Sequence, residues 1–110
     1  MPEMSKKIYF KYFFRRNCVK CSAQKTQETL KILGDRNFII EMHDCDELDG
    51  LSEASYYSVW SFPTLVLAME YENGSHGETM LGRWVGILDI NKVDEILKEQ
   101  NVVIEKKEDQ

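Results

Sequence analysis

A chain of 110 residues that is 43% hydrophobic has material for one core of ordinary size and too little for two. Its 14 Lys and Arg stand against 19 Asp and Glu, a formal net charge of -5. That balance argues against nucleic acid as a partner, because such binders carry a basic stripe or patch.

The first apolar run, Ile8 to Phe14, is interrupted by Lys11, closed by Arg15 and Arg16, and followed by no small-residue cleavage site, so no signal peptide is expected. Nothing approaches the roughly 18 to 20 apolar residues that span a bilayer, so the protein is expected to be soluble, without a membrane partner. Aromatic and β-favouring side chains on both faces make Ile8 to Phe14 a central strand buried on both sides. From Val19 an apolar stripe of Val19, Ala23, Thr26, Leu30 and Leu33 recurs at three- and four-residue steps, with Gly34 where a helix C-cap would sit. That spacing predicts an amphipathic helix. Phe38 to Met42 reads as a second strand, parallel to the first because a helical crossover joins them.

A short helix over Leu51 to Ser58 has a weak pattern, and Tyr56, Tyr57 and Trp60 are expected to pack over the sheet edge. After Pro63, the strand-like run Thr64 to Met69 and the extended run Thr79 to Val85 flank the turn formers of residues 72–77, which predicts an antiparallel hairpin. Asp89 is the expected N-cap of a last helix whose Ile90, Val93 and Leu97 share a face, and Glu105 to Gln110 is a charged tail. The order is β-α-β-α-β-β-α, one domain over residues 1–110 with its core at about 6–100 and a tail from 101 to 110.

Cys18 and Cys21 fall at the junction of the first strand and the first helix, and their i, i+3 spacing puts both sulfurs on one helical face, able to close a small disulfide ring. The positive end of the helix, aided by Arg15 and Arg16, should lower the pKa of Cys18 and make its thiolate the attacking species. Cys21, one turn further in, is placed to resolve the mixed disulfide. An odd total of three cysteines, two of them packed as Cys-Val-Lys-Cys, fits a reducing compartment, here the cytoplasm, better than a secreted disulfide scaffold.

With Cys18-Val19-Lys20-Cys21 at a strand-to-helix junction and Ser61-Phe62-Pro63-Thr64 before the third strand, the chain resembles the thioredoxin and glutaredoxin superfamily from about Lys6 to Gln100. The resemblance implies a thioredoxin fold, an α/β architecture with a central mixed sheet flanked by helices. It implies a thiol-disulfide oxidoreductase that reduces protein disulfides or glutathione mixed disulfides, with Cys18 and Cys21 catalytic. No cofactor is implied beyond the Cys18-Cys21 disulfide itself. The implied partners are disulfide-containing proteins and a reductase or glutathione as electron donor, with the protein acting as a monomer. It further implies a cis Phe62-Pro63 bond facing the cysteine pair, and substrate contacts from Phe62, Pro63, Thr64 and Arg15. Gly86 matches a family glycine at the active-site edge and also suits the turn into the last helix. The branch stays open: thioredoxins resemble Trp-Cys-Gly-Pro-Cys with a buried Asp six residues before the nucleophile, where this chain has Asn17 and Tyr12. Arg15 stands where glutaredoxins often carry a cation, but Ser61-Phe62-Pro63 replaces their Thr-Val-Pro.

Two other functions compete. A catalytically weak module could dock a partner in the Phe62-Pro63 groove, and Cys18, Cys21, His43 and Cys45 could form a Cys3His zinc set, although their spacing matches no common ribbon or finger. Cys45 itself reads as a small loop residue, neither paired nor reactive, or as a regulatory thiol near the active-site edge.

Overall fold

The structure, a computed structural model, describes residues 6–71, 77–100 and 102. The expected turn over residues 72–76 and the charged tail 105–110 lie outside these described residues. Seven elements follow in the expected order: β1 (Lys6–Phe14), α1 (Gln24–Asp35), β2 (Ile39–Asp44), α2 (Leu48–Tyr56), β3 (Thr64–Tyr71), β4 (Glu78–Val85) and α3 (Ile90–Glu99).

The sheet runs β2-β1-β3-β4. β1 pairs parallel with β2, from Tyr9 opposite Ile39 to Phe14 opposite Asp44, and antiparallel with β3; β4 pairs antiparallel with β3 across a bulge at Leu67 and Ala68. Alternate side chains of a strand point to opposite faces, so β1 supplies two cores. Phe10 and Tyr12 pack with Leu33 of α1, Val93 and Leu97 of α3, and Leu65 and Leu67 of β3. Phe13 packs on the other face with Ala54 of α2, Cys45, Val59 and Val66. Removing each large side chain of these cores from water contributes roughly 1.5 to 3 kcal/mol. Lys11 is buried too, because three carboxylates meet its ammonium: Glu41 and Glu53 at 2.9 Å each, and Glu78 at 3.6 Å. Among the described residues no helix is long and apolar enough to cross a membrane.

Three expectations are corrected. Helix α1 begins at Gln24, not Val19, because Ala23 takes an extended backbone (ψ 145°) and Val19 is 86% exposed. Gly34 lies inside α1; the left-handed residue that ends the helix is Asn37 (φ 69°), whose N–H bonds the Gly34 carbonyl while that of Phe38 bonds Leu33. Of the three aromatic residues expected to pack over the sheet, only Tyr57 does so, against Phe13; Tyr56 and Trp60 are 78% and 69% exposed. Asp89 caps α3 as expected, accepting the Asn91 N–H through its side chain.

Candidate active site

Residues 18–22 form a single turn, closed by the Ser22 N–H on the Cys18 carbonyl (3.2 Å), before the chain straightens at Ala23. Side chains cause the interruption by taking carbonyls that a continuous helix would pair with its own amides. The Ser22 hydroxyl lies 3.2 Å from the carbonyl oxygens of both Cys18 and Val19. Thr26 Oγ1 donates to Lys20 (3.1 Å), and the Cys21 carbonyl accepts from Gln27 Nε2 (2.8 Å) and the Tyr12 hydroxyl (3.4 Å).

Cys18 and Cys21 are joined as a disulfide in this turn, with their Cα atoms 5.1 Å apart. Cys18 is half-buried and Cys21 buried. The Cys21 N–H points at Cys18 Sγ, 3.0 Å away, and on the other side Cys18 Sγ lies 3.9 Å from the Phe62 carbonyl oxygen. The Phe62-Pro63 bond is cis, and the Pro63 carbonyl is tied to the N–H of Gly86 (2.8 Å), which has φ 94°. A side chain at Gly86 would meet nothing within 4 Å, so the turn and its positive φ account for this glycine, not a close approach. Arg15 lays its guanidinium over the Phe62 ring at 5.8 Å. An open cleft of about 210 Å³ lies beside the cysteine pair, lined in part by Tyr12, Arg15, Cys18, Cys21, Gln27 and Met42.

No family model matches the chain, and no curated protein matches it. Solved structures do. Thioredoxin-2 of a malaria parasite, described as a component of that organism's protein secretion machinery, superposes with a TM-score of 0.65 at 24% identity, covering 88% of this chain and 86% of its own. A thioredoxin of Schistosoma mansoni gives 0.62 at 24% identity, covering 84% and 78%. Plasmodium falciparum thioredoxin gives 0.64 at 12% identity, covering 86% and 71%. The chain has the thioredoxin fold.

Within this thioredoxin fold the surroundings of the cysteines depart from the sequence reading in several places. The positive end of α1 sits at Gln24, behind the cysteine turn, so the donor that meets Cys18 is the local N–H of Cys21. Arg15 and Arg16 are not free cations beside the sulfur. Arg15 holds Asp46 through Nε (3.0 Å) and Nη2 (2.9 Å), while Arg16 holds Asp44 (2.7 Å) and also pairs with Glu47. The Arg16 backbone N–H and the Arg15 side chain together hold the Asp46 carboxyl below its usual range. Three carboxylates thus offset two guanidinium groups and weaken their field at Cys18. Arg15 lines the cleft beside the cysteine pair and keeps its contact with the Phe62 ring. Thr64 is also placed differently from the expected substrate contact: it is fully buried, with its hydroxyl donated to the Ser61 carbonyl (2.7 Å), so it braces the loop.

The four residues of the zinc alternative are not brought together. Cys45 is buried with its thiol directed at the Gly50 carbonyl (3.5 Å), and burial pushes that thiol's pKa up. The His43 ring stacks on Phe13. Among the described residues no three His, Cys, Asp or Glu side chains are grouped to hold a metal ion. Tyr12, six residues before Cys18, brings a phenol that burial pushes up to about 12, so no acid or base active near neutrality replaces the missing carboxylate there. Sequence reasoning missed the contacts of Thr26, which it took as part of the apolar stripe, and those of Gln27, which no pattern marked.

Proposed function

We propose that the protein is a thiol-disulfide oxidoreductase in which Cys18 and Cys21 reduce protein or mixed disulfides. One observation carries the reading: the Cys18-Cys21 disulfide lies at a site where Cys18 is the more accessible residue and its Sγ faces the Phe62 carbonyl. In the reduced protein the Cys18 thiolate attacks one sulfur of a substrate disulfide, forming a Cys18-substrate bond and releasing the other substrate sulfur as a thiolate that takes a proton from solvent. Cys21 then gives its proton to water and attacks Cys18 Sγ. The Cys18-Cys21 bond re-forms and the second substrate thiolate leaves, so two electrons have passed from the dithiol to the substrate. A reductase or glutathione returns them, in a reducing compartment such as the cytoplasm. Phe62 offers its carbonyl and Arg15 its stacked side chain to an extended substrate segment.

Turnover of insulin disulfides by dithiothreitol tests this. The protein should accelerate precipitation of the insulin B chain, and Cys18→Ser should abolish the acceleration. A wild-type rate equal to that of dithiothreitol alone, with insulin bound but unreduced, would replace the enzyme reading with the docking module.

A further inference from the structure

We infer that Thr26 is a positioning residue for the Cys18 thiolate, acting through a chain of hydrogen bonds that all run in one direction. The chain starts at the Leu88 N–H, which donates to Thr26 Oγ1 (3.2 Å). The Thr26 hydroxyl donates in turn to the Lys20 carbonyl (3.1 Å). That carbonyl belongs to the peptide whose N–H is contributed by Cys21, and this N–H ends the chain on Cys18 Sγ at 3.0 Å. Thr26 is fully buried and Leu88 is 1% exposed, so the first link of the chain is shielded from water.

The break at Ala23 makes the arrangement possible. In an uninterrupted helix the N–H of Gln24 would take the Lys20 carbonyl; here the carbonyl accepts from Thr26 and, at 3.4 Å, from the Ala23 N–H. A hydroxyl that accepts one hydrogen bond donates the next more strongly, and a peptide whose carbonyl is so engaged has a more polar N–H. A neutral disulfide sulfur gains little from that N–H, but a thiolate gains a charge-assisted bond, so the chain favours the ionised form of Cys18. Thr26 touches neither cysteine sulfur in this account; it works through the Lys20-Cys21 peptide, and it ties the cysteine turn to the segment between β4 and α3.

The inference rests on the reading above only in taking Cys18 as the reacting sulfur. Its test compares Thr26→Val, which deletes the hydroxyl and nearly keeps the shape, with Thr26→Ser, which keeps it, in the reduced full-length protein carrying Cys45→Ser. Cys18 ionisation is followed by ultraviolet thiolate absorbance and by the pH dependence of alkylation. Thr26→Val should move the midpoint upward and slow alkylation at neutral pH by about three- to tenfold, while Thr26→Ser should stay within about twofold of the parent. A folded Thr26→Val protein with the parental profile overturns the inference. Should Thr26→Val fail to fold, the parent protein decides: the Leu88 amide proton shift should follow Cys18 ionisation in an NMR titration, and a flat Leu88 response overturns the chain. The two readings fail separately. A protein inert towards insulin in which Thr26→Val still displaces the profile keeps the chain and removes the enzyme, whereas turnover with identical profiles does the reverse.

Discussion

Lys11 is the one charged side chain that β1 carries into the interior, and the residues around it explain its tolerance. Its ammonium meets Glu41, Glu53 and Glu78 and lies 5.5 Å from the ring centroids of Tyr9 and Tyr57. Burial alone would lower the pKa of Lys11, but the hydrogen bonds to Glu41 and Glu53 outweigh it and leave the value raised. Burial would likewise raise Glu41, yet its bond to Lys11 leaves it lowered. The signs define a window. The Lys11 contribution is present below its unfolded value near 10.4 and is lost as pH rises through the folded one, while the Glu41 contribution is present above about 4.3 and is lost as pH falls through its lowered folded value. Lys11→Met should therefore cost about 2 to 3 kcal/mol at pH 7 by urea unfolding, less than for a wholly buried pair because the three carboxylates remain partly solvated. The deficit should shrink as pH falls through the lowered folded value of Glu41. Equal stability of the two proteins at neutral pH would show that the ion cluster contributes nothing.

Helix boundaries were the least legible elements, and two glycines show why. The stripe from Val19 to Leu33 has helical spacing throughout, but spacing says nothing about which carbonyls the Ser22, Thr26 and Gln27 side chains will take, and those bonds end one turn and start another at Ala23. Gly34 followed the stripe and so read as a cap, yet it is an exposed interior residue of α1 with open space where a Cβ would go. Gly34→Ala should stabilise the protein by about 0.5 to 1 kcal/mol; at a left-handed cap the same change would destabilise it. Gly50, which no sequence pattern singled out, sits in the first turn of α2 so close to the end of β2 that a Cβ would lie 2.1 Å from the Asp44 carbonyl oxygen. Backbone cannot yield as a side chain does, so Gly50→Ala should cost about 2 kcal/mol or more by lifting α2 from the strand and loosening the cover over Cys45. Urea midpoints of the two variants moving in the same direction would contradict this placement.

At the scale of the whole molecule, the parallel direction of β1 and β2 and the meeting of distant segments were legible because each rests on a local signature. The helical crossover made β1 and β2 parallel, the Cys-Val-Lys-Cys turn marked the end of β1, and the Phe62-Pro63 segment marked the start of β3. The fold closes the 44-residue separation of Cys18 and Phe62 to 3.9 Å. What the sequence could not show was how charge and access are distributed around that meeting point: the pairing of Arg15 and Arg16 with acidic residues, the inward turn of Thr64 and the burial of Cys45 all depend on long-range packing. These placements predict how the three thiols divide their work. Cys45 is 3% exposed and its thiol is held up in pKa by burial, so in the reduced native protein a thiol reagent should modify Cys18 first and Cys45 only after denaturation. Cys45→Ser should keep insulin turnover near the parental rate. On the proposed mechanism Cys21→Ser removes the resolving sulfur, so this variant should accumulate mixed disulfides through Cys18, visible as dithiothreitol-sensitive adducts on non-reducing gels. Cys18→Ser should form none, because the remaining Cys21 and Cys45 are buried, at 6% and 3% exposure. Adducts forming through Cys21 in the Cys18→Ser protein, and not through Cys18 in the Cys21→Ser protein, would reverse the roles assigned to the two sulfurs.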